Sequence, residues 1–194
     1  MTVCFHTFAD FLFVSHTLLY THTAESNNLK GTLPTEIGAL TTLTDLTLQQ
    51  GFLSGTIPSQ VGFLSNLSIL DLDYNSITGP LPSALTNLQQ LDLNHNALTG
   101  TIPSELGRLT QLDFVQLSHN PNLTGTVPST LGLLSQLRVL DLQATGLTGT
   151  MPQSVCQLRS GALQLLVATC ASGNSDETML LECSCCTYCA VASN

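Results

Sequence analysis

The stretch LSNLSILDLDYNSITGPLP, residues 64–82, decides the fold of this chain. Polar residues alternate with Leu70 and Leu72, and this period of two predicts a short β-strand with the leucines on one face. Gly79 then permits a tight bend, and Pro82 cannot continue a hydrogen-bonded ladder. A strand and bend of this length cannot bury their own leucines, so the stretch predicts a coil that packs against similar coils.

The stretch is one of six copies. A four-residue signature, running from glycine to proline, begins at Gly31, Gly55, Gly79, Gly100, Gly125 and Gly149, at intervals of 24, 24, 21, 25 and 24 residues. Stacked coils place neighbouring strands about 4.8 Å apart. The spacing therefore predicts a solenoid with a parallel sheet, one continuous apolar interior and short helical turns on the outer side.

The consensus of the copies, LxxLxLxxNxLTGxIPxxLGxL, resembles the plant-type class of leucine-rich repeat over about residues 27–158. The resemblance implies an α/β fold, a curved right-handed solenoid with a parallel β-sheet on its concave face and short 3-10 or helical turns on its convex face. In that family the domain is usually the extracellular ligand-binding part of receptor-like proteins and kinases or of polygalacturonase-inhibitor-like proteins. The tail from Val155 also resembles the cysteine-rich ends of leucine-rich-repeat proteins from microalgae.

Asparagines follow three of the strands. At Asn75, Asn96 and Asn120 a buried carboxamide can bond to turning backbone groups of adjacent coils. Gly51 and Thr145 stand at two equivalent positions. We therefore expect an asparagine ladder that these two residues interrupt.

Some coils depart from the average length. The coil that begins at Gly79 is three residues shorter than its neighbour, so its outer side should be pinched. Pro121 adds one residue after an asparagine and should bulge that turn. His22 and Ala24 occupy positions where strand leucines belong, which predicts a degenerate N-terminal edge.

We expect three regions along the chain. Residues 1–24 form a signal peptide or a degenerate N-terminal segment, residues 25–158 a solenoid of about six 24-residue repeats, and residues 159–194 a cysteine-rich C-terminal cap. The first residues are apolar enough for a secretory leader, but Asp10 and His16 interrupt them, so an anchor or a truncated segment are the alternatives. No other segment is predicted to cross a bilayer.

The cysteines favour an oxidising, extracellular setting. Removal of a leader would remove Cys4 and leave six cysteines, which allow three disulfides and 15 pairings. These six are Cys156, Cys170, Cys183, Cys185, Cys186 and Cys189. Zinc and redox chemistry are the alternatives, because Cys186 and Cys189 form a CxxC, but paired zinc knuckles need two separated motifs. We expect structural disulfides and no metal. Sequons at Asn66 and Asn122 predict glycosylation of a secreted or cell-surface protein.

Charge and motifs disfavour several classes of function. The chain has four Lys and Arg against thirteen Asp and Glu, a net charge of -9, which disfavours nucleic acid and anionic membranes as partners. The sequence has no phosphate-binding glycine loop, zinc-protease motif, nucleophile elbow or paired-acid motif. We therefore expect no enzymatic activity and no cofactor. A protein, peptide or glycan ligand is expected, and the oligomeric state is not indicated.

The strand periodicity predicts which residues form the exposed concave face. Equivalent residues on neighbouring coils lie about 4.8 Å apart, so Tyr74, His95 and His119 should form one contiguous ridge beside an acidic strip. The predicted ligand-binding residues are Asp71, Asp73, Tyr74, Asp92, Asn94, His95, Gln116, His119 and Asp141. The aspartates are also interpretable as solvated repeat residues, and the histidine pair as a metal-binding or pH-sensing site.

Recognition through this face is the function that the resemblance favours. The same surface would serve an inhibitor of a secreted wall-degrading enzyme, and the chain could also be a detached receptor-like ectodomain. Regularly spaced threonines, in TGT at residues 99–101, 124–126 and 148–150, raise the further alternative of an ice-binding solenoid. Pro80 and Lys30 interrupt that array.

Overall fold

The computed structural model describes residues 21–23, 29–170 and 181–191, which build a stack of coils around one apolar interior. Each coil adds a short strand to a long parallel sheet, and most coils carry a 3-10 helix on the opposite side. The expected α/β leucine-rich-repeat solenoid is confirmed, because the strands pair in parallel and the helices are short.

The long sheet follows the order of the coils. Its strands are β1 (Thr21–Thr23), β3 (Asp45–Thr47), β5 (Ile69–Asp71), β7 (Gln90–Asp92), β9 (Phe114–Gln116), β11 (Val139–Leu142), β14 (Leu165–Cys170), β15 (Leu181–Glu182) and β13 (Gly149–Thr150), with β16 (Tyr188–Val191) beside β14. From β3 to β11 the pairing keeps one register, so equivalent positions of successive coils fall in one column.

Smaller sheets lie at the bends that follow these strands. One contains β2 (Lys30–Thr32), β4 (Phe52–Thr56), β6 (Ser76–Gly79) and β8 (Ala97–Leu98), and the other contains β10 (Asn120–Gly125) and β12 (Thr145–Leu147). The 3-10 helices span Thr35–Ala39, Ser59–Phe63, Ser104–Arg108, Ser129–Leu133 and Leu158–Ser160, and α1 spans Gln153–Gln157. Most coils thus close with helical turns opposite the long sheet.

From β3 to β11, the residue at one register position of each strand in the long sheet points into the interior. Leu46, Leu70, Leu91, Val115 and Leu140 pair in register across the sheet, and none is more than 1% exposed. Burying one such side chain stabilises the fold by about 1.5 to 3 kcal/mol. Because each coil covers the leucines of its neighbours, this stabilisation exists only in the stack. The inward orientation on which the predicted face depends is confirmed.

Glycine lets the convex side stack as closely as the sheet. A Cβ atom on Gly107 would lie 2.2 Å from the backbone oxygen of Thr130 in the next coil, so no side chain fits between these two 3-10 helices. At the bend, Gly79 has a φ of 76°, and a Cβ atom there would lie 2.6 Å from Thr56 Cγ2. The repeat therefore needs glycine at both points.

The asparagine ladder is confirmed. Asn96 Nδ2 donates to the backbone oxygen of Leu72 in the preceding coil at 2.9 Å, and Asn96 Oδ1 accepts from the backbone N–H of Ile77 at 2.9 Å. Asn75 and Asn120 make the same pair of bonds to their preceding coils. Each carboxamide thus satisfies buried backbone groups that the turning chain leaves unpaired.

The two interruptions of the ladder have different local solutions. Gly51 has no side chain to bond to the preceding coil, and a Cβ atom there would lie only 2.9 Å from Asn75 Oδ1. Thr145 Oγ1 donates to the backbone oxygen of Leu142 at 2.8 Å, within its own coil. The ladder therefore joins the middle coils to each other and weakens toward both ends.

The irregular coils behave as their lengths predict. Between Ser59–Phe63 and Ser104–Arg108 the chain has no 3-10 helix, so the shortened coil is pinched on its outer side. The missing helix leaves a cavity of about 330 Å³ lined by residues 83–87 and by neighbours that include Arg108. After Pro121 the pairing of β10 with β12 shifts register, which is the expected bulge.

The N-terminal edge of the long sheet begins before the domain boundary that the sequence predicted at residue 25. β1 pairs with β3 and places His22 opposite Leu46, as expected for a degenerate strand position. Because β1 falls within residues 1–24, the sheet starts before residue 25. Residues 1–20 and 24–28, which include Cys4, Ala24 and most of the predicted leader, lie outside the described residues.

Disulfides join the C-terminal elements. They link Cys156 to Cys185, Cys170 to Cys189, and Cys183 to Cys186, which selects one of the pairings that the sequence left open. β14 pairs with β11 and so continues the long sheet into this cross-linked region. Sγ atoms of Cys170, Cys186 and Cys189 lie within 4.8 Å of one another, but zinc needs thiolates and these sulfurs are in disulfides.

Candidate ligand-binding face

The first outward column of the long sheet has the predicted composition. Thr47, Asp71, Asp92, Gln116 and Asp141 pair in register and are partly exposed. They lie directly after the buried strand leucines, on the opposite face of the sheet. The column is therefore a strip of oxygen-bearing side chains in which carboxylates predominate.

The next column differs from the prediction. Asp73, Asn94 and Ser118 were expected to face outward, but their exposed fractions are only 9%, 7% and 4%. The residue after each of them has a positive φ, so the chain bends at once and encloses this column. The periodicity of a straight strand does not predict this bend. Asp73 and Asn94 are therefore buried neighbours of the exposed strip, and their contact with a ligand stays a prediction.

Tyr74, His95 and His119 form the predicted ridge. The ring centroids of Tyr74 and His95 lie 4.1 Å apart at 14° between planes, and those of His95 and His119 lie 4.0 Å apart at 10°. Tyr74 is 50% exposed, and both histidines are partly exposed. The three rings therefore present one continuous edge, about three coils long, beside the acidic strip.

The ridge stands on an unusual backbone conformation. Tyr74, His95 and His119 have φ values of 49°, 50° and 55°, and Gln50 and Ala144 adopt the same conformation in the flanking coils. Positive φ is uncommon for residues other than glycine and worst for β-branched ones. None of the five is β-branched, which is the one signal in the sequence for this bend. The bend turns the rings onto each other, so the backbone prepares the stack.

The environment of His95 favours the neutral form of its ring. Burial and the charge of His119 lower the pKa of His95 from its usual value of 6.5, while Asp141 opposes the shift. His119 Nδ1 is buried and has no hydrogen-bond partner. A neutral His95 ring can stack between Tyr74 and His119 without repulsion between like charges, so the lowered pKa of His95 agrees with the stacked geometry.

Three carboxylates converge beside the ridge. Asp71, Asp73 and Asp92 each bring one oxygen to within 4.8 Å of the others. Burial and the charge of Asp71 raise the pKa of Asp73 to about 6. Burial raises the pKa of Asp92 to about 7, although a backbone hydrogen bond from Asn94 opposes it. The sequence placed these aspartates on one face but gave no signal that they meet.

Comparisons with known proteins agree with this architecture. The Leucine Rich Repeat family model matches residues 66–88 and 87–109. A chain of the BIR3–SERK2 complex from Arabidopsis thaliana is 34% identical, with 69% of each chain covered and a TM-score of 0.55. The chain belongs to the leucine-rich-repeat family. No curated protein gives a significant match.

Larger receptors resemble this leucine-rich-repeat chain over part of their length. The Arabidopsis receptor kinase HAESA, in complex with the peptide hormone IDA and the co-receptor SERK1, is 35% identical over 72% of this chain, with a TM-score of 0.68. A TDR receptor is 30% identical over 85% of this chain, with a TM-score of 0.70. The leucine-rich-repeat chain spans only 24% and 30% of those two chains.

Threonines at the bends of the leucine-rich repeats have a structural use. Thr78 Oγ1 donates to the backbone oxygen of Gly55 at 3.1 Å, and Thr124 Oγ1 donates to that of Gly100 at 3.3 Å. These hydroxyls join adjacent coils, so the regularity of threonine follows from stacking. Binding of ice by the exposed threonines stays a prediction.

The two predicted glycosylation sites lie on the surface. Asn66 and Asn122 are exposed, as an acceptor of a glycan must be, and Asn66 Nδ2 also donates to the backbone oxygen of Thr41 at 2.8 Å. Within residues 21–23, 29–170 and 181–191, no helix has both the length and the hydrophobicity to span a membrane.

Proposed function

We propose that this leucine-rich-repeat protein binds a peptide or an extended protein segment on its concave face, centred on Tyr74, His95 and His119. The stacked ridge is the observation that carries the proposal. Aromatic side chains at the centre of a contact surface supply a large share of binding free energy. Here they are already ordered by mutual stacking, so little side-chain entropy is lost when a ligand binds.

The acidic strip indicates the chemistry of the ligand. Asp71, Asp92 and Asp141 run beside the ridge, and the charge of Asp141 acts on His95. Carboxylates in this position attract Lys and Arg side chains and repel acidic ones. The expected ligand therefore combines basic residues with a flat or apolar side chain that packs on the ridge.

The relatives support a peptide as the class of ligand. HAESA holds a peptide hormone, and this chain shares its repeat architecture. Disulfides persist in oxidising compartments, so the three cross-links support a secreted or cell-surface setting. Binding, rather than catalysis, is the activity that such a face performs.

Selection from a random peptide library displayed on phage tests the proposal. Peptides enriched on the wild-type protein should contain Lys or Arg beside an aromatic or proline residue. The double variant Tyr74→Ala with His95→Ala should bind them about 30-fold more weakly, since a pair of central aromatic contacts is typically worth 2 kcal/mol or more. Alanine is tolerated in this conformation, because Ala144 already adopts it with a φ of 52°.

The matched control is Tyr188→Ala, which removes a tyrosine that is 61% exposed on β16. It should bind the selected peptides as the wild type does. Melting temperatures of all variants should stay close to that of the wild type. Selected peptides that bind the double variant equally well would show that the ridge is not the binding site, and the proposal would be abandoned.

A further inference from the structure

The carboxylate cluster of Asp71, Asp73 and Asp92 contains a buried oxygen without a partner. Asp73 is 9% exposed, and its Oδ1 atom has no hydrogen-bond donor. An ionised carboxylate that is buried without a donor is destabilising, so such groups normally pair with a cation or a metal ion. Asp73 Oδ1 therefore lacks the positive partner that a buried carboxylate oxygen requires.

The electrostatics of the cluster lead to the same requirement. The charge that acts on Asp73 is that of Asp71, and the charges that act on Asp92 are those of Asp71 and Asp73. No Lys or Arg is among these groups. The three carboxylate groups each bring an oxygen to within 4.8 Å of the others, so the negative charge that they can carry is concentrated in one place.

The strand geometry fixes the three groups in place. Asp71 and Asp92 end β5 and β7 and are paired in register, so their backbones are about 4.8 Å apart. Asp73 follows Asp71 by two residues, and its own backbone N–H donates to Asp71 Oδ1 at 3.2 Å. Rigid elements therefore hold three oxygens together before any ligand arrives.

The structure assigns a calcium-binding site to Asp71, Asp73 and Asp92 on the concave face. The ligands are all oxygens, which Ca²⁺ prefers, and there is no nitrogen or sulfur ligand in the cluster that would favour zinc. Ca²⁺ binds oxygens at about 2.4 Å, so two ligands of one ion can lie up to about 4.8 Å apart. Mg²⁺ limits that separation to about 4.2 Å.

A fourth oxygen lies next to the cluster. Asn94 Nδ2 donates to Asp92 Oδ1 at 2.7 Å, and Asn94 Oδ1 is buried without a partner. This amide holds the Asp92 carboxylate in position through its nitrogen. The calcium site stands on these contacts alone and does not depend on the proposed recognition of a peptide.

Calorimetric titration of the chelator-treated protein with calcium chloride tests the site, with no peptide present. The wild type should bind one Ca²⁺ with a Kd of about 0.1 to 1 mM, the range of extracellular calcium modules, and Mg²⁺ should bind more weakly. Calcium should also raise the melting temperature of the wild type, because the ion binds only the folded cluster.

Asp73→Asn is the decisive variant. It should weaken calcium binding about tenfold or more, since affinity follows the number of charged ligands. The amide should fit, because Asn94 occupies the same position one coil later, and the melting temperature in chelator should not fall. Asp141→Asn is the matched control, since it removes one charge from the column of Asp71 and Asp92 at a point outside the cluster. Its calcium affinity should stay within about twofold of the wild type.

Two outcomes would overturn the assignment. The first is that about 10 mM calcium, far above the expected Kd, produces neither binding heat nor a shift in the melting temperature of the wild type. The other is an equal loss of calcium affinity in Asp73→Asn and Asp141→Asn, which would mean that the affinity depends on the overall charge of the face and not on the cluster. Either result leaves the peptide selection unaffected, because that experiment reads the aromatic ridge.

Discussion

The middle coils and the C-terminal region continue the same sheet with different bonds. Between residues 64 and 125, each coil gives its neighbours buried leucines and an asparagine such as Asn96 or Asn120. The last repeat signature begins at Gly149, and beyond it β14 pairs with β16, which carries Cys189 in a disulfide to Cys170. Where the regular core stops, covalent cross-links replace it, as expected for a region with few leucines to bury.

Removal of a ladder asparagine should cause the largest loss. Asn120 is fully buried, and its carboxamide bonds to the backbone of Leu93, Leu98, Leu117 and Ser118. Asn120→Ala should lower the free energy of unfolding by about 4 kcal/mol, because several buried backbone groups lose their partners. Urea unfolding followed by circular dichroism measures this difference.

Thr145→Ala is the control for that variant, because Thr145 occupies the same repeat position with a single hydrogen bond to Leu142. It should cost about 1 kcal/mol. Equal losses in the two variants would show that the ladder is not what distinguishes the middle coils from the C-terminal region.

The disulfides should contribute unequally within the C-terminal region. Cys156 and Cys185 are 29 residues apart, whereas Cys183 and Cys186 are 3 apart. Replacing the first pair by serine should lower the free energy of unfolding by about 3.5 kcal/mol, and replacing the second by about 2 kcal/mol, because a longer closed loop restricts the unfolded chain more. Urea unfolding of the two double variants compares them. A larger loss for the short loop would contradict this explanation.

Acidity should act on the middle coils through Asp73, Asp92 and His95, whose pKa values are shifted, whereas the six cysteines of the C-terminal region are in disulfides and do not titrate. The raised pKa values of Asp73, about 6, and Asp92, about 7, mean that the folded state holds these protons more tightly than the unfolded state. Their stabilisation is present below pH 3.8 and is lost as pH rises through 6 to 7. His95, with a lowered pKa, acts in the opposite direction and loses stabilisation as pH falls below 6.5.

Melting temperatures in chelator between about pH 5 and 8 measure these opposed contributions. Asp73→Asn should make the decrease in melting temperature with rising pH shallower than in the wild type, and His95→Gln should make it steeper. The effect should be a few degrees, which makes it the smallest of the three. Slopes that change in the same direction in both variants would exclude the two pKa shifts as the cause.

The sequence predicted the features that repeat. The inward leucines, the asparagine bonds, the pinched coil after Gly79 and the bulge at Pro121 all follow from spacing, because each coil contacts only its neighbours. The exposed columns containing Asp71 and Tyr74 were also predicted, the first from the period of two and the second from the equal spacing of the repeats. The burial of Asp73 was not predicted, because it depends on a backbone bend with positive φ that no periodicity encodes.

By itself, the amino-acid sequence determined the period of the solenoid, the direction of its leucines and the exposed columns of Asp71 and Tyr74. Only the tertiary structure decided which cysteines join, how closely Tyr74, His95 and His119 stack, and that Asp71, Asp73 and Asp92 meet. The physical reason is that periodicity and packing determine different things. Periodicity fixes the face on which a side chain lies, whereas distances of a few ångströms between coils depend on how the backbone bends and packs.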